Sequence, residues 1–333
     1  MKAMVLERIG PVEKGPLAPA ELAAPEPAPG QVRIKVEACG LCHTDLHEIE
    51  GELALPKLPL IPGHQVVGRV EKLAAGVENL QIGQRVGLAW LGRTCQQCAF
   101  CRQGHENLCR QAKFTGFDFD GGYAQYAAAY ADYVYPVPEK VSAAAAAPLL
   151  CAGIIGYRAL RLSSIQKGQR LGLYGFGASA HIAIQVARHW GCEVYVFSRS
   201  AEHRKLAQQL GAAWTGRIDD QLPKKLHGSI IFAPAGQLVP PALEHLEKAG
   251  TCALAGIYMS QVPPLDYEKH LYHEKTLRSV ANSTRRDGRE LMKLAGEIKL
   301  ETTTQPFPLE KVNQALQLLK AGKINGAAVL KIE

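Results

Sequence analysis

Residues 170–197 read RLGLYGFGASAHIAIQVARHWGCEVYVF and carry the strongest fold signal of this chain. The apolar run Arg170–Tyr174 predicts a strand, the amphipathic run Ala178–His189 predicts a helix, and Glu193–Phe197 predicts a second strand. A glycine-rich turn joins the first strand to the helix. Alternation of this kind is typical of a parallel sheet covered by helices on both faces.

The same alternation continues downstream and extends the predicted sheet. The pattern predicts a helix over Glu202–Leu210, a strand over Ser229–Ala233, a helix near Pro240–Lys248, a strand over Thr251–Ala255 and a helix over Asp287–Ala295. The tail from Phe307 onward predicts a helix and a closing strand. This part of the chain is therefore predicted to be a doubly wound α/β domain.

The first half of the chain has a different pattern. Gln31–Ala38, Val66–Leu73 and Arg85–Trp90 alternate apolar and polar residues, with Gly- and Pro-containing turns between them. These segments predict a small all-β unit with long loops. The alanine run Ala143–Ala147 predicts a helix at the point where the pattern changes.

Composition restricts the class of protein. The chain has 333 residues, 47% hydrophobic and 21% charged, as in globular enzymes large enough for two domains. The net charge of +7 is spread along the chain, which favours a solvated surface over nucleic-acid binding and still permits a basic groove for a phosphate-bearing cofactor. The N-terminus lacks a signal-peptide pattern and no apolar run could span a bilayer, so we expect a cytoplasmic protein whose nine cysteines stay reduced.

Four cysteines lie within fifteen residues in the polar loop TCQQCAFCRQGHENLC, at Cys95, Cys98, Cys101 and Cys109. Two-residue gaps let a tight turn aim neighbouring thiolates at one point, and four thiolates complete the tetrahedron of a structural zinc. An iron–sulfur cluster also uses C-x2-C-x2-C, but there the fourth cysteine follows after three residues, not seven, and precedes a proline. The spacing therefore predicts a closed zinc site that folds this loop.

A second set of potential metal ligands begins with CGLCHTDLH, residues 39–47. His64 follows in a Pro-Gly-His turn, and Cys151 lies in the segment LLCAG. Two cysteines, one histidine and an exchangeable water form a recognised catalytic zinc site. A site built from separate loops draws its ligands from distant parts of the chain. The long spacing between residues 39–47, His64 and Cys151 is therefore compatible with one zinc site.

These segments occur in the order found in the zinc-containing alcohol dehydrogenases of the medium-chain dehydrogenase/reductase superfamily, which the whole chain resembles. The resemblance implies an N-terminal GroES-like β-barrel catalytic domain over residues 1–150, with a structural zinc lobe near 93–112, and a Rossmann domain over 151–285. Residues 286–333 would return to the catalytic domain. The resemblance also implies an NAD(P)-dependent enzyme with two zinc ions, acting on alcohols and aldehydes as a homodimer or homotetramer.

The same resemblance implies a role for each residue of the second set. General chemistry agrees with those roles, because zinc makes a bound hydroxyl more acidic and a carboxylate behind a metal-binding histidine fixes its tautomer. A hydroxyl and an imidazole in series can carry a proton to solvent. The implied roles are zinc ligation by Cys42, His64 and Cys151, orientation of His64 by Asp45, and proton relay by Thr44 and His47.

Other residues near these motifs are open to a plainer interpretation. Cys39, one turn before Cys42, and the strand-like Cys192 and Cys252 are interpreted as core packing. His43 is either a surface residue or the cation that the family often places against the cofactor pyrophosphate.

The turn after the first strand of the opening segment has the dinucleotide-binding pattern G-x-G-x-x-A. Backbone N–H groups at the start of the following helix would hold a pyrophosphate. The pattern alone is weak, but its place between a strand and a helix makes it specific. The predicted cofactor contacts in this turn are Gly175, Gly177, Ala178, Ser179 and Ala180.

The end of the second strand indicates which nicotinamide cofactor binds. NAD sites usually carry an acidic residue there, whereas this chain has Ser-Arg-Ser and then a basic helix start. A guanidinium and two hydroxyls suit a 2′-phosphate, which favours NADP(H), although the helix residues could simply be solvated cations. The predicted contacts are Ser198, Arg199, Ser200 and Arg204, beside His203 and Lys205, and the resemblance adds Arg285.

Trp90 occupies the family position of a pocket wall beside the zinc, where an indole would restrict substrates to small primary alcohols and aldehydes. Packing at a strand end is the plainer interpretation of this residue, and Leu53 and Thr115 are further pocket candidates. With NADP(H), aldehyde reduction is the expected physiological direction. Bulkier, cinnamyl-type substrates are an alternative. The ligand set disfavours a zinc-free quinone or enone reductase, and the relay disfavours a non-enzymatic sensor of zinc or nucleotide.

One departure from the family pattern follows the metal-binding histidine. The family reads Gly-His-Glu, whereas this chain has Gly63, His64 and Gln65. Loss of the carboxylate removes a negative charge near the metal, so two thiolates would leave the site nearer to neutral. We hypothesise altered acidity of bound water or slower ligand exchange at the metal, with activity retained.

Replacement of Gln65 with Glu is therefore expected to change the pH–rate profile or the turnover, because it restores a carboxylate beside the metal. The measurement is a pH series of turnover for both forms of the protein. Coincident profiles and equal turnover would show that the missing charge has no effect.

Overall fold

The computed structural model describes the whole chain, Met1–Glu333, which forms two compact units. The first unit comprises Met1–Cys151 and Thr284–Glu333, and the second comprises Ala152–Ser283. The strands are β1 (Lys2–Leu6), β2 (Leu17–Glu21), β3 (Gln31–Gly40), β4 (Gln65–Leu73), β5 (Arg85–Leu88), β6 (Leu91–Arg93), β7 (Lys113–Phe114), β8 (Tyr126–Tyr130), β9 (Val134–Pro136), β10 (Arg170–Tyr174), β11 (Glu193–Phe197), β12 (Trp214–Gly216), β13 (Leu226–Ile231), β14 (Leu246–Leu254), β15 (Thr276–Ser279), β16 (Thr304–Pro308) and β17 (Ala327–Lys331). The α-helices are α1 (His43–Ile49), α2 (Ala99–Arg102), α3 (Ala143–Ala146), α4 (Ala152–Leu162), α5 (Ala178–His189), α6 (Ala201–Gln209), α7 (Val239–Glu244), α8 (Tyr267–His270), α9 (Arg285–Glu297) and α10 (Val312–Lys320).

The second unit is built on a six-stranded parallel sheet in the order β12–β11–β10–β13–β14–β15. The chain winds from β10 outward to β12, returns to the centre, and then winds the other way from β13 to β15. This is the doubly wound Rossmann arrangement, and the strand order reverses between β10 and β13. The turn that follows β10 therefore lies at the switch point, where such sheets bind their ligands.

The first unit is built on a mainly antiparallel sheet in the order β16–β17–β3–β4–β5–β9, with β8 also paired to β3. The ten-residue strand β3 is its centre, since it pairs with β17, β4 and β8. Apolar residues of β3 and β4 alternate into one core, together with residues of β1 and α10. The return of the chain end to this unit is thus an additional strand beside β3.

The predicted parallel sheet and the predicted all-β first half are confirmed. Arg170–Tyr174, Ala178–His189 and Glu193–Phe197 form the elements predicted for them, with the predicted bounds. These segments are apolar on the faces that the unit buries, so local pattern and tertiary packing favour the same structure.

Two local predictions fail at their ends. The helix predicted near Pro240–Lys248 stops at Glu244, because Leu246 already pairs with Leu226 and begins β14. The alanine run is α-helical only as far as Ala146 and then tightens into a 3-10 turn that contains Pro148. Proline lacks the N–H that the next α-helical hydrogen bond needs.

The helices of the second unit pack closely on each other. A Cβ atom at Gly156 of α4 would lie 2.7 Å from the Ser179 carbonyl oxygen of α5, so the two helices approach each other at a glycine.

No single helix of the chain is long and apolar enough to cross a membrane, although the helical segments on either side of Cys151 reach that length and composition when taken together.

Candidate metal-binding and catalytic site

Pairing of β3 with β4 brings two of the candidate ligands together. Gly40, the last residue of β3, pairs with Gln65, the first residue of β4. Cys42 lies just beyond the end of β3 and His64 just before the start of β4, so both stand at the same edge of the sheet. The Cys42 Sγ and His64 Nε2 atoms are 3.4 Å apart.

Cys151 reaches the same edge by packing on the next strand. It follows the 3-10 turn Ala147–Leu150, and Leu150 packs so closely on Gly87 of β5 that a Cβ there would lie 2.7 Å from a leucine methyl. Because β5 pairs with β4, this contact carries Cys151 to the edge where His64 stands. The Cys151 and Cys42 sulfurs are 4.0 Å apart.

The ligand atoms of Cys42, His64 and Cys151 all lie within 4.8 Å of one another. Zinc–sulfur bonds of about 2.3 Å in a tetrahedron place two sulfurs about 3.8 Å apart, close to the spacing found here. Three protein ligands leave a fourth position for water or a substrate oxygen, which is the arrangement of a catalytic zinc. The residues present therefore fit a zinc ion with one exchangeable ligand.

The thiols and the imidazole of this cluster change one another's pKa. The Cys151 thiol donates to the Cys42 sulfur, which holds the pKa of Cys42 well below its usual value and raises the pKa of Cys151. Burial opposes a charged His64, but Cys42 and Asp45 outweigh burial and raise the pKa of His64. Binding of a divalent cation to these ligands would release the protons that remain on them.

Asp45 lies behind His64 and is fully buried. One carboxylate oxygen is 3.4 Å from His64 Nδ1, and the other accepts a hydrogen bond of 2.7 Å from the Cys42 backbone N–H. The Cys42 sulfur accepts in turn from the Thr44 N–H at 3.3 Å, so the segment Cys-x-x-Asp caps α1. One local motif therefore begins the helix and orients two candidate ligands.

Two further buried side chains lie near this cluster. Glu48 is completely buried one turn after Asp45, neither carboxylate oxygen has a hydrogen-bond partner, and burial with the Asp45 charge raises its pKa to about 10. Gln65 covers Gly40, where a Cβ would lie 2.8 Å from Gln65 Oε1. Sequence reasoning identified Gln65 and missed Glu48, whose helical spacing from Asp45 was the available signal.

The predicted relay residues lie on the same helix. Thr44 and His47 are three positions apart in α1, so their side chains share one face of the helix. His47 is part-buried and its Nδ1 lies 2.5 Å from a carboxylate oxygen of Glu52. His43, at the first position of α1, is exposed.

An aromatic group stands beside the candidate ligands. The Trp90 indole packs edge-on against His64, with ring centroids 5.1 Å apart, and stacks on Phe114 at 4.9 Å. Phe117 contacts the same indole at 5.6 Å. Neither phenylalanine was predicted, because no spacing in the sequence connects them to Trp90. Two phenylalanines thus restrict the positions that the indole can take.

The other two predicted pocket residues contact this region through their backbones. Leu53 donates its N–H to the His47 carbonyl in the turn after α1. Thr115 is buried and donates its N–H to the Trp90 carbonyl at 2.9 Å. The Thr115 hydroxyl lies close to Gly92, and both residues line a small cavity.

The four cysteines of the polar loop also converge. Cys98 and Cys101 sulfurs are 3.5 Å apart, those of Cys95 and Cys109 3.5 Å, and those of Cys95 and Cys101 3.9 Å. Backbone N–H groups lower the pKa of Cys95 to about 6, whereas burial raises the pKa of Cys101 to about 11. Four ligands at these spacings leave no open position, so the residues fit a structural zinc.

Buried polar contacts fasten this loop to the rest of the first unit. Thr94 Oγ1 lies 2.6 Å from the Tyr133 hydroxyl, and the Arg285 guanidinium lies 5.1 Å from the Tyr133 ring centre. The buried Glu106 accepts hydrogen bonds from the Arg285 backbone N–H at 2.8 Å and from its Nε at 3.4 Å. Sequence reasoning missed Glu106. The cofactor contact of Arg285 stays a prediction.

The glycine-rich turn of the second unit lies at the switch point of its sheet. Gly175 has a φ of +87°, and a Cβ there would lie 2.9 Å from the Ala233 backbone nitrogen, so a side chain does not fit. Gly177 then forms the N-cap of α5, with no atom within 4 Å of a Cβ. Open space before a twelve-residue helix suits the backbone approach of a pyrophosphate.

The two arginines of the basic segment after β11 differ in their contacts. Arg204 donates from Nη1 to the carbonyl oxygens of Ser198 at 2.7 Å and Arg199 at 3.0 Å, so it holds the loop. Ser200 caps α6 by accepting from the His203 N–H. The Arg199 side chain is exposed, which leaves its guanidinium available to an anion.

Two family models match the chain. The alcohol dehydrogenase GroES-like domain matches residues 28–139, and the zinc-binding dehydrogenase matches residues 180–297. Both matches fall on the units described above, the first on the metal-binding unit and the second mainly on the Rossmann unit.

Similar proteins span the full length of the chain. A probable alcohol dehydrogenase AdhA from Mycobacterium tuberculosis is 47% identical, over 100% of this chain and 97% of that protein. An alcohol dehydrogenase from Geobacillus stearothermophilus is 36% identical over 100% of both chains. Among solved structures, the cinnamyl alcohol dehydrogenase SbCAD4 from Sorghum bicolor has a TM-score of 0.88 and 28% identity, over 99% of this chain and 97% of that chain.

Substitution of Cys101 by Ser is expected to remove about one zinc equivalent per chain and to lower the melting temperature by several degrees, because metal binding folds such loops. Metal analysis and thermal unfolding measure both effects. Cys192→Ala is the matched control, since Cys192 is buried outside both clusters and should keep the full metal content. An unchanged metal content in Cys101→Ser would contradict the assignment of this loop.

Proposed function

The chain belongs to the zinc-containing alcohol dehydrogenases of the medium-chain dehydrogenase/reductase superfamily, and from that premise we propose that it interconverts small primary alcohols and aldehydes with NADP(H). It is an alcohol dehydrogenase that uses zinc and a nicotinamide cofactor. The observation that carries the proposal is the meeting of Cys42, His64 and Cys151 with one position left open.

In this proposal Cys42, His64 and Cys151 hold the catalytic zinc, and Cys95, Cys98, Cys101 and Cys109 hold a second, structural zinc. Zinc at the first site would polarise the substrate oxygen while the nicotinamide exchanges a hydride with the substrate carbon. The protein contributes ligand orientation, since Asp45 contacts Nδ1 of His64 and so directs Nε2 towards Cys42.

Thr44 and His47 move the proton in this proposal. Thr44 is one helical turn from His47, and its backbone N–H donates to the Cys42 sulfur, which places the residue next to the ligand and supports its role as the first proton acceptor. His47 is part-exposed, as a group that exchanges protons with solvent must be. In aldehyde reduction the same groups deliver the proton in reverse.

Preference for NADP(H) is supported by the basic segment after β11. No acidic side chain stands at the end of β11 to repel a 2′-phosphate, and Ser198 and the exposed Arg199 come directly after this strand, where we propose that the phosphate binds. Arg204 supports this arrangement by holding the two carbonyls of the loop. The adjacent Gly175, Gly177, Ala178, Ser179 and Ala180 would take the pyrophosphate, with His43 and Arg285 as further proposed contacts.

A preference for small substrates is supported by Trp90. Its indole contacts the imidazole of His64 and is held by Phe114 and Phe117, so it narrows the space beside the ligands. Leu53 and Thr115 are proposed as minor contributors. The similarity to a cinnamyl alcohol dehydrogenase supports the alternative of bulkier aromatic substrates.

We further propose a cytoplasmic homodimer or homotetramer. All nine cysteines are unpaired, as in a reducing compartment. Self-association is supported by the second unit, where β15 is an edge strand and several large apolar side chains are exposed. These side chains are Ile257, Tyr258, Tyr267 and Tyr272.

The decisive experiment is a screen of alcohols and aldehydes with both cofactors, combined with metal analysis. Two zinc ions and turnover support the proposal; turnover without zinc at Cys42, His64 and Cys151 indicates a quinone or enone reductase. Zinc without turnover indicates a non-enzymatic sensor.

For the cofactor, kcat/KM with NADPH is expected to exceed that with NADH. Arg199→Gln should lower the NADPH value by about tenfold or more and leave the NADH value unchanged, because a hydrogen bond to a charged group contributes about 1.5–3 kcal/mol. Lys248→Gln is the control. It removes an exposed cation near the start of β14, whereas Arg199 lies beyond the end of β11. Wild-type values within about threefold of each other, a gap below about 1 kcal/mol, would count against the preference.

For the substrate, Trp90→Ala is expected to raise kcat/KM for benzyl or cinnamyl alcohol by about tenfold relative to ethanol, because removal of the indole opens the space beside His64. Steady-state kinetics with the three alcohols measure this ratio. A wild-type enzyme that already prefers cinnamyl alcohol, with an unchanged ratio in the variant, would support the bulkier substrates instead.

A further inference from the structure

We propose that Glu52 is a positioning residue of the proton relay, which holds His47 in the tautomer that accepts the relayed proton. The inference rests on the proposed function, in which Thr44 and His47 carry that proton. It is carried by the contact between Glu52 Oε2 and His47 Nδ1, which are 2.5 Å apart. Neither the sequence pattern nor the family resemblance assigned Glu52 any role.

The turn after α1 fixes the position of Glu52. Gly51 has a φ of +83°, donates its N–H to the Glu48 carbonyl and lies so close to Ile9 that a Cβ would meet it at 2.6 Å. Leu53 then donates its N–H to the His47 carbonyl at 3.1 Å. Because the backbone is held on both sides of it, Glu52 is directed back towards the helix end where His47 stands.

The neighbouring acidic residues have other partners or surroundings. Glu50 accepts hydrogen bonds from the Val12 N–H at 3.0 Å and from Lys320 Nζ at 2.7 Å. Glu48 is completely buried. Glu52 has 58% of its side chain exposed, so its carboxylate is hydrated at the surface and also contacts the part-buried imidazole.

The contact between Glu52 and Nδ1 of His47 determines which imidazole nitrogen exchanges the proton. A carboxylate at Nδ1 keeps a hydrogen on that nitrogen, so the lone pair of Nε2 is the acceptor. During alcohol oxidation Nε2 takes the proton that leaves Thr44, and the imidazole becomes a cation that Glu52 stabilises. Nε2 then releases the same proton to water, while Glu52 keeps its charge and its hydrogen bond throughout.

The test is a double-mutant cycle on turnover of a short primary alcohol near neutral pH, with wild type, Glu52→Gln, His47→Gln and the double variant. Glu52→Gln is expected to lower kcat by about tenfold, as loss of a carboxylate behind a functional histidine does. KM for alcohol and cofactor should change less than about twofold, and added imidazole buffer should restore part of the rate, because it replaces the weakened base. In the His47→Gln background, Glu52→Gln should change kcat less than about twofold.

Glu78→Gln is the matched control, because Glu78 is an exposed acid of the same unit and its loss changes the net charge equally. Metal content and melting temperature of every variant are measured so that a folding defect is recognised.

Independent losses in the double variant, or full turnover of Glu52→Gln beside an impaired His47→Gln, overturn the role of Glu52 and leave the proposed relay standing. Full turnover of His47→Gln overturns the relay and Glu52 together. Absence of turnover with any alcohol or aldehyde in the wild type would instead remove the proposed function.

Discussion

Antiparallel pairing of β3 with β4 is the constraint on which the candidate metal-binding site of the first unit depends. With Gly40 opposite Gln65, the chain leaves one strand towards Cys42 and enters the next from His64, so the two side chains meet, with Sγ 3.4 Å from Nε2. A shift of the pairing by one residue would turn every side chain to the other face of the sheet. Close contact of Leu150 with Gly87 extends the same alignment to β5 and brings in Cys151.

The short helix α1 combines several tasks in seven residues. Its N-terminal cap is formed by Cys42 and Asp45, its part-buried residues Thr44 and His47 form the proposed relay, and its buried side carries two acids. The chain lacks the family's carboxylate after the histidine, and the buried Glu48, whose pKa is raised by burial to about 10, does not replace that negative charge at neutral pH. One short element therefore positions Cys42 and, through Asp45, orients His64.

Much of the fold could be predicted because local pattern and tertiary packing agree. The strands and the helix of residues 170–197 have periodically spaced apolar residues and are bounded by glycine. The faces that this pattern predicts to be buried are buried. Prediction fails where pairing overrides local preference, as at Leu246, which belongs to β14 although its neighbours suggest a helix. Spacing predicted the four-cysteine set and the family resemblance predicted the second ligand set. Phe114, Glu52 and Glu106 were not predictable, because their partners are distant in sequence or reached only by a specific turn.

The sequence by itself determined the class of the molecule: a Rossmann fingerprint, four closely spaced cysteines, a second ligand set, and no acid at the end of β11. These are short motifs whose meaning depends on residue type and spacing, which are visible along the chain. Only the tertiary structure decided that Arg285 is held by the cysteine loop, that Arg204 braces the basic segment and that Glu52 meets His47. Such contacts depend on three-dimensional proximity and side-chain direction, which a linear pattern does not contain.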